Sequence, residues 1–310
     1  MTNETMLPQT PDGALRIDLD FIKAAKDRIS PYIYETPLLE SPRLNDHLGR
    51  RLLIKAECLQ HTGSFKLRGA SDAIWSLGSD VRHVVAFSSG NHAQGVARAA
   101  ATRGIRATIV MPEDTPRTKI DGTKAYGAKV VTYDRYTESR EEIGAALAKK
   151  YRANLVKPYD DVRVIAGQGT VGLEIAEQAA KMEVSPDAVL CCCGGGGLIA
   201  GLGIALHAKM PDVKIWSAEP QFYDDTKRSL QSGQIERADT SKFSVCDAIV
   251  TPEPGELTFP INKQHLSGGA VVSDEMALRA VTTLFKHLKI VTEPGRSEEH
   301  TSELQSPCNL

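Results

Sequence analysis

The chain has 310 residues, of which 41% are hydrophobic and 25% are charged, and its formal net charge is −2. This length and composition allow one large hydrophobic core or two smaller ones. The near-neutral charge and the lack of a basic cluster argue against nucleic acid or an anionic membrane as a partner, which favours small-molecule ligands.

Short apolar runs alternate with helical patterns along the chain. This rhythm predicts an α/β fold in which parallel sheets are covered by helices. The predicted strands span residues 51–55, 84–87, 107–111, 129–133, 154–156, 188–192 and 214–217, and the predicted helices include residues 93–103, 138–151 and 169–181.

The cellular compartment is predicted from the start of the chain and from its cysteines. The first residues contain no basic segment followed by an apolar run, and no stretch reaches the length of a membrane span. The chain has 6 cysteines but no C-x-x-C pair. Cys191, Cys192 and Cys193 alternate between the two faces of a predicted strand, so they cannot hold one metal together. These features predict a soluble cytoplasmic protein with reduced thiols.

Lys66 is the first candidate functional residue. It follows Gly63, Ser64 and Phe65, so small residues leave it accessible and an aromatic ring can flank it. A lysine withdrawn from water deprotonates more easily and can then bond to the carbonyl carbon of a cofactor. The alternative is a solvated lysine at the start of a helix, the commoner environment for this residue type.

Four consecutive glycines, Gly194–Gly197, follow a predicted strand and precede a predicted helix. Main-chain N–H groups can converge there without obstruction by Cβ atoms, and the positive helix end attracts a phosphate. The same stretch, with Ala200 and Glu219, also fits a dinucleotide-binding pattern and would indicate a nicotinamide oxidoreductase. Lys66 favours an aldehyde cofactor, because hydride transfer does not need such a lysine.

A third loop, residues 88–92, also connects a predicted strand to a helix. Its hydroxyl, amide and main-chain N–H groups can bind a substrate carboxylate, and Asn91 can donate to a phenolate oxygen. The alternative is a helix cap without a ligand. The candidate carboxylate-binding residues are Ser88, Ser89, Gly90, Asn91 and His92.

Taken together, these stretches resemble the fold-type II pyridoxal-phosphate enzymes, and among them the threonine/serine dehydratase and serine racemase group. The resemblance runs from about residue 34 to residue 294. It rests on residues 63–70, 88–95, 109–113, 166–175, 194–197 and 254–258.

This resemblance implies roles for individual residues. Lys66 would link covalently to pyridoxal phosphate, and Ser89 would be a second catalytic residue on the opposite side of the substrate. Cys58 stands where the family usually has asparagine, in the segment that supports the lysine loop. The implied cofactor-binding residues are Phe65, Lys66, Asn91, Gly194, Gly195, Gly196, Gly197 and Leu198.

The resemblance also implies a divalent-cation loop. Glu219, Asp225 and the carbonyl of Tyr223 would supply oxygen ligands for Mg²⁺ or Ca²⁺. An acidic surface turn without a metal is the alternative.

The domain organisation is likewise implied by the resemblance. It predicts a two-lobed enzyme similar to the β-subunit of tryptophan synthase, with parallel sheets flanked by helices and the cofactor in a cleft between the lobes. Residues 1–71 and 159–295 would form the large domain, and residues 72–158 an inserted small one. A homo-oligomer, either a dimer or a tetramer, is also implied.

The implied activity is a lyase reaction, in which water is eliminated from L-threonine or L-serine to give ammonia and a 2-oxo acid. Racemisation of serine or another amino acid, and dehydration of a different 3-hydroxy amino acid, are alternatives at the same site. From Arg296 onward the chain resembles a translated sequencing adapter, so we expect residues 296–310 to be non-native. A truncated, non-catalytic cofactor binder therefore remains a further alternative.

Overall fold

The computed structural model describes residues 17–296, so the predicted non-native tail lies, except for Arg296, outside the described residues. In chain order the helices are α1 (Leu19–Ile29), α2 (Pro42–Leu48), α3 (Lys66–Trp75), α4 (Asn91–Arg103), α5 (Arg117–Ala125), α6 (Arg140–Tyr151), α7 (Val162–Lys181), α8 (Gly197–Lys209), α9 (Asp225–Ser232), α10 (Thr258–His265) and α11 (Asp274–Leu288). The strands are β1 (Leu38–Glu40), β2 (Leu53–Lys55), β3 (His83–Phe87), β4 (Arg106–Pro112), β5 (Lys129–Tyr133), β6 (Asn154–Leu155), β7 (Ala188–Cys192), β8 (Lys214–Pro220) and β9 (Gly268–Val272).

The chain divides into two compact units. Unit 1 contains the residues up to Glu35 together with Leu59–Thr170, and unit 2 contains Thr36–Cys58 together with the residues from Val171 onward. The domain boundaries implied by the resemblance, with an inserted domain at 72–158, stay a prediction.

Unit 1 is built on a four-stranded sheet with the order β5-β4-β3-β6, and all of its strand pairs are parallel. Every residue of β3 is buried, as expected for a parallel strand covered on both faces. The alanines of α4 are short enough to let that helix lie close to the sheet, and Ala93, Ala97 and Ala100 belong to the core cluster. This packing fixes the loop between β3 and α4.

Unit 2 contains a three-stranded parallel sheet with the order β7-β8-β9. Its first connection leads from β7 through the glycine turn into α8, and its second leads from β8 into α9. The strand predicted at 51–55 is present as β2 but pairs antiparallel with β1 in a separate two-stranded sheet. The fold class is confirmed, with parallel sheets flanked by helices.

Both sheets present their loops in the same way. In a parallel α/β sheet, ligands bind beyond the carboxyl ends of the strands. The 88–92 loop follows the carboxyl end of β3 in unit 1, and the 194–197 loop follows that of β7 in unit 2. Each predicted ligand-binding loop therefore occupies the part of its own sheet where a ligand site is expected.

Candidate active site

Lys66 is the first residue of α3 and is half-buried. Its Nζ donates a hydrogen bond of 2.9 Å to the carbonyl of Pro158 and lies 5.4 Å from the centre of the Phe65 ring. Its main-chain N–H donates to the Ser64 hydroxyl at 3.1 Å. The amine is therefore held in one direction by its surroundings and does not extend freely into solvent.

Close approach of three helices positions this lysine. A Cβ atom on Gly95 of α4 would lie 3.1 Å from the Lys66 carbonyl oxygen. A Cβ on Gly167 of α7 would lie 2.6 Å from the carbonyl oxygen of Arg68. On α3 itself, a Cβ on Gly69 would meet the main chain of α7 at 2.8 Å. A side chain at Gly69 or Gly167 would therefore overlap the neighbouring helix, and one at Gly95 would fit only if Lys66 shifted slightly.

The crossing also explains where α7 begins. The predicted helix starts at residue 169, and the segment before it contains Gly167, a poor helix former. In the structure the helix begins at Val162, where the Asp161 side chain accepts from the N–H groups of Arg163 and Val164 at 2.8 and 3.2 Å. Packing against α3 therefore overrides the local preference.

The predicted carboxylate loop lies at the start of α4 in unit 1. Gly90 is the residue before the helix, and Asn91 is its first residue. The Ser88 hydroxyl accepts from the Gly90 N–H at 3.2 Å, so the loop is closed on itself. The first N–H groups of an α-helix have no partner within the helix, and those of α4 belong to the loop for which a carboxylate is predicted.

His92 is buried beneath this loop. Its Nε2 lies 3.2 Å from the carbonyl oxygen of Val156, which makes Nε2 the protonated nitrogen of a neutral ring. Burial and the nearby Lys66 ammonium lower the pKa of His92 to about 3. The ring is therefore neutral at physiological pH, and any contribution of His92 to carboxylate binding comes through hydrogen bonding and not through charge.

The glycine loop of unit 2 has a conformation that only glycine tolerates well. Gly196 has φ +86°, in the left-handed region. A Cβ atom there would lie 2.5 Å from Nδ2 of Asn262 and 2.9 Å from Oγ1 of Thr258. At Gly194 a Cβ would lie 2.9 Å from the carbonyl oxygen of Ile249. The turn is thus closely packed on the side where the side chains of Gly194 and Gly196 would lie.

Two residues of α10 hold the carbonyls of this loop. Thr258 Oγ1 donates to the Gly195 carbonyl at 2.6 Å, and Asn262 Nδ2 lies 3.4 Å from the Gly196 carbonyl. Both side chains are fully buried. These two contacts engage the loop carbonyls, whereas the first N–H groups of α8, including that of Leu198, have no partner within the helix and are of the kind that binds phosphate.

The predicted cation ligands, Glu219 and Asp225, also lie in unit 2. The buried Glu219 carboxylate accepts from Ser217 Oγ at 2.9 Å and from the N–H groups of Thr226 and Lys227 at 2.8 and 2.9 Å. Asp225 is also buried, and its Oδ2 has no hydrogen-bond partner.

The charges of this pair are poorly compensated. Burial and the neighbouring Asp225 raise the pKa of Glu219 to about 8, and burial raises the pKa of Asp225 to about 7. Between them lies Tyr223, and Phe222 just before it has φ +76°, which is unusual for an aromatic residue. Among residues 17–296 no group of three or more His, Cys, Asp or Glu side chains could hold a metal. A cation here would therefore need main-chain oxygens and water to complete its shell.

These observations fit the cofactor predicted from the sequence, pyridoxal phosphate. An aldehyde needs a directed amine, which Lys66 supplies in unit 1. A phosphate needs converging N–H groups without Cβ atoms, which the 194–198 segment supplies in unit 2. The Oδ2 atom of Asp225, which has no hydrogen-bond partner, could bind a cation.

Within the described part of the chain, no helix combines the length and the apolar character that a membrane span requires.

Comparison with known proteins leads to the same class. The profile of the family described as pyridoxal-phosphate dependent enzyme matches residues 29–298. An L-threo-3-hydroxyaspartate ammonia-lyase from Saccharomyces cerevisiae is 41% identical over 272 residues, covering 87% of this chain and 82% of that protein. A serine racemase from Dictyostelium discoideum is 38% identical over 282 residues, covering 90% of this chain and 86% of the relative.

Solved structures agree. The crystal structure of a T.th. threonine deaminase has a TM-score of 0.89 and 45% sequence identity, covering 94% of this chain and 93% of that one. The chain therefore belongs to the pyridoxal-phosphate-dependent enzymes, in the fold-type II serine/threonine dehydratase family. The prediction of a pyridoxal-phosphate enzyme related to ammonia-lyases is confirmed, and a dinucleotide enzyme is disfavoured.

Proposed function

We propose that this protein is a pyridoxal-phosphate-dependent ammonia-lyase that converts L-threonine or L-serine into ammonia and a 2-oxo acid. The observation that supports this proposal most directly is the directed amine of Lys66, 2.9 Å from the Pro158 carbonyl, on the helix that packs against the start of α4. The names of the relatives, which include threonine deaminase and serine racemase, support the same chemistry.

The bound cofactor supplies an electron-withdrawing ring that stabilises negative charge at the substrate Cα. We assign the covalent link with the aldehyde to Lys66, the ring contact to Phe65 and the bond to the ring hydroxyl to Asn91. The phosphate is assigned to Gly194, Gly195, Gly196, Gly197 and Leu198.

The substrate carboxylate is assigned to the 88–92 loop, where helix-start N–H groups of α4 and the hydroxyls of Ser88 and Ser89 are available. Gly90, Asn91 and His92 complete this loop. Binding of the carboxylate there fixes the orientation of the Cα–H bond, which is the condition for removal of a single proton.

Lys66 also serves as the base. When it is not engaged in the covalent link, the Lys66 amine would accept the proton from the substrate Cα. The β-hydroxyl then takes up a proton and leaves as water, with Lys66 as its proton donor. The enamine released then reacts with one water to give the 2-oxo acid and ammonia. Elimination produces one water and hydrolysis consumes one, so the overall reaction neither produces nor consumes water.

A serine racemase is the second candidate function, and the Dictyostelium relative favours it. Here Ser89 would return a proton to Cα from the face opposite Lys66. Elimination and racemisation share the first proton transfer, so one site can support both outcomes.

We further propose that Glu219, Asp225 and the Tyr223 carbonyl bind Mg²⁺ or Ca²⁺. The poorly compensated carboxylates support this assignment. The cation would stabilise the turn between β8 and α9 and is not assigned a part in the reaction.

The decisive experiment is a panel of amino acids offered to the chain after reconstitution with pyridoxal phosphate. We expect a yellow protein that borohydride bleaches and that releases ammonia and the matching 2-oxo acid from L-threonine, L-serine or another 3-hydroxy amino acid. Colour without any such release would contradict the proposed activity and leave a cofactor binder. A colourless protein would contradict the covalent link at Lys66.

A further inference from the structure

The sheet of unit 1 has a positively charged edge, opposite the edge that carries the 88–92 loop. All of its strand pairs are parallel, so its strands begin at one edge, and the helices between them end there. We call this the amino edge. Its basic residues are the last-turn residues Arg103 of α4, Lys124 of α5 and Lys149 and Lys150 of α6, and the first strand residues Arg106 of β4 and Lys129 of β5. The fold thus collects charges that are scattered in the sequence.

Compensation of helix dipoles explains only part of this charge. The carboxyl end of a helix carries about −0.5 elementary charge, so the ends of α4, α5 and α6 together supply about −1.5. The six basic side chains supply six positive charges, and Asp80, which interacts with Arg103, offsets one of them. An excess of roughly three to four positive charges therefore remains at the amino edge.

The positive charge is concentrated around Tyr151, the last residue of α6. Nζ of Lys129 and Nζ of Lys150 lie 5.9 and 5.6 Å from the centre of its ring. Lys129 Nζ also donates to the Tyr151 hydroxyl at 3.4 Å. Within residues 17–296, neither lysine forms an ion pair with a carboxylate. Two ammonium groups therefore lie beside one aromatic ring without an anion of the protein to neutralise them.

His83 lies beneath this ring. The His83 and Tyr151 rings are stacked, with their centres 4.7 Å apart. The imidazole is buried, and its Nε2 lies 2.9 Å from Oγ1 of Thr108 on the neighbouring strand. Burial lowers the pKa of His83, and the charges of Arg106 and Lys129 lower it further. A change in the charge of the amino edge would therefore be detectable at His83.

We propose that the amino edge binds a ligand with a chain of phosphate groups, with Lys129 and Lys150 as its main contacts. Lysine binds phosphate as a point charge, without a fixed geometry. Neighbouring strands are about 4.8 Å apart, so cations on adjacent strand starts and helix ends match several negative charges in a row better than one isolated anion. This site is separate from the 88–92 and 194–197 loops and does not depend on the proposed reaction.

The test measures binding of inorganic tripolyphosphate by calorimetry. The full chain is first saturated with pyridoxal phosphate, so that the cofactor phosphate occupies its own site. We expect binding that weakens at high salt, because salt screens exposed charges. The double variant Lys129→Gln/Lys150→Gln should bind about 10-fold or more weakly, as expected for loss of charge-assisted contacts.

A second double variant, Lys209→Gln/Lys286→Gln, is the matched control. It also removes two exposed lysines from the last turns of helices, α8 and α11. The change in net charge is the same and the helix ends lose the same kind of compensation. Tripolyphosphate should bind this control as tightly as the parent.

NMR titration of the histidines locates the ligand, with His83→Gln to identify the signal of His83. Bound phosphate groups offset the charges of Arg106 and Lys129, so tripolyphosphate should raise the pKa of His83 in the parent. Equal binding by the parent and Lys129→Gln/Lys150→Gln, equal losses in both double variants, or an unchanged pKa of His83 would overturn the proposal. If Lys129→Gln/Lys150→Gln does not fold, Lys150→Gln and the His83 titration of the parent decide the same point.

Discussion

The Nζ of Lys66 donates to the main-chain carbonyl of Pro158 across 92 positions of the chain, at 2.9 Å. An ammonium is a good donor for this bond, whereas an amine that has bonded to an aldehyde offers fewer protons. The contact therefore orients the Lys66 amine in the absence of a carbonyl partner, and we expect it to weaken when that nitrogen is engaged in a covalent link.

Replacement of Lys66 tests the covalent assignment. Lys66→Ala should give a protein that folds but stays colourless after reconstitution and borohydride treatment, with turnover lowered by at least about 10³-fold because both the link and the base are lost. Absorbance and mass spectrometry of the reduced protein measure this directly. Lys157→Ala, an exposed neighbour of Pro158, should keep the colour. A borohydride-stable adduct at another residue of Lys66→Ala would show that the assignment is wrong.

Ser89 separates the two candidate reactions. If it returns the proton, Ser89→Ala should lower serine racemisation by about 10²-fold or more, the usual contribution of one general acid. Elimination, which needs only the Lys66 side, should fall much less. Chiral chromatography of serine together with 2-oxo acid release gives both rates in one sample. Equal losses of both activities would mean that Ser89 only binds the carboxylate.

Thr258 donates a hydrogen bond to the glycine loop to which we assign the cofactor phosphate. Thr258→Val removes the 2.6 Å donor of the Gly195 carbonyl, which keeps only the longer 3.3 Å bond from the Gly255 N–H, and the loss of one such hydrogen bond costs roughly 0.5–1.5 kcal/mol. We expect a lower free energy of unfolding and weaker binding of pyridoxal phosphate, measured by urea titration and by equilibrium dialysis. Thr240→Val, at an exposed position, is the control. A cofactor affinity equal to that of the parent would show that Thr258 does not contribute to phosphate binding.

The cation assignment predicts stabilisation by a metal. Saturating Ca²⁺ or Mg²⁺ should raise the melting temperature of the parent by about 3–8 °C, as expected for a ligand that binds only the folded state. Asp225→Asn should remove this increase, because it replaces the carboxylate whose Oδ2 has no other partner. Glu236→Gln, an exposed acid in unit 2, should keep it. A full response in Asp225→Asn would refute the site.

Asp72 gives unit 1 a predictable pH dependence. Its buried carboxylate is paired with Arg28, and burial still raises the pKa of Asp72 to about 6 from 3.8, with Arg163 and Asp161 as further charged neighbours. Because the folded chain holds this proton more tightly than the unfolded chain, the stability that protonation provides is complete below about pH 4. It is lost as the pH rises through about 6, and the full difference is roughly 3 kcal/mol.

The variant Asp72→Asn removes this titration. Its stability relative to the parent should rise between about pH 4 and pH 7, by up to the same roughly 3 kcal/mol. Chemical unfolding at several pH values measures the change, with the exposed Asp80→Asn as control. A difference between Asp72→Asn and the parent that stays constant with pH would contradict the raised pKa.

The sequence was sufficient for features whose cause is local. The glycines at 194–197 favour a turn before a helix whatever lies around them. Strands β3, β4 and β5 are short segments rich in β-branched and aromatic residues, and they fall within a residue or so of the predicted positions. Lys66 could be proposed from the chain alone, since its small and aromatic neighbours adjoin it.

Other features depend on distant packing and could not be predicted in this way. Thr258 bonds to a carbonyl 63 positions earlier in the chain, and only its place in the 254–258 stretch gave a hint. Strand β9 begins with two glycines and is half-buried, so its local pattern is weak. Helix α4 and strand β4 separate Gly90 from Lys119 along the chain, and only the fold brings Nζ of Lys119 within 3.9 Å of a Cβ atom placed on Gly90.

The crossing of α3 and α7 has a consequence for how this protein can evolve. At Gly69 and Gly167 even a methyl group would have to occupy the volume of a neighbouring main chain. We therefore expect a saturation library to reject substitutions there almost as strictly as at Lys66, the lysine proposed to bind the cofactor. The position of Lys66 thus depends on Gly69 and Gly167, two residues that have no side chain of their own.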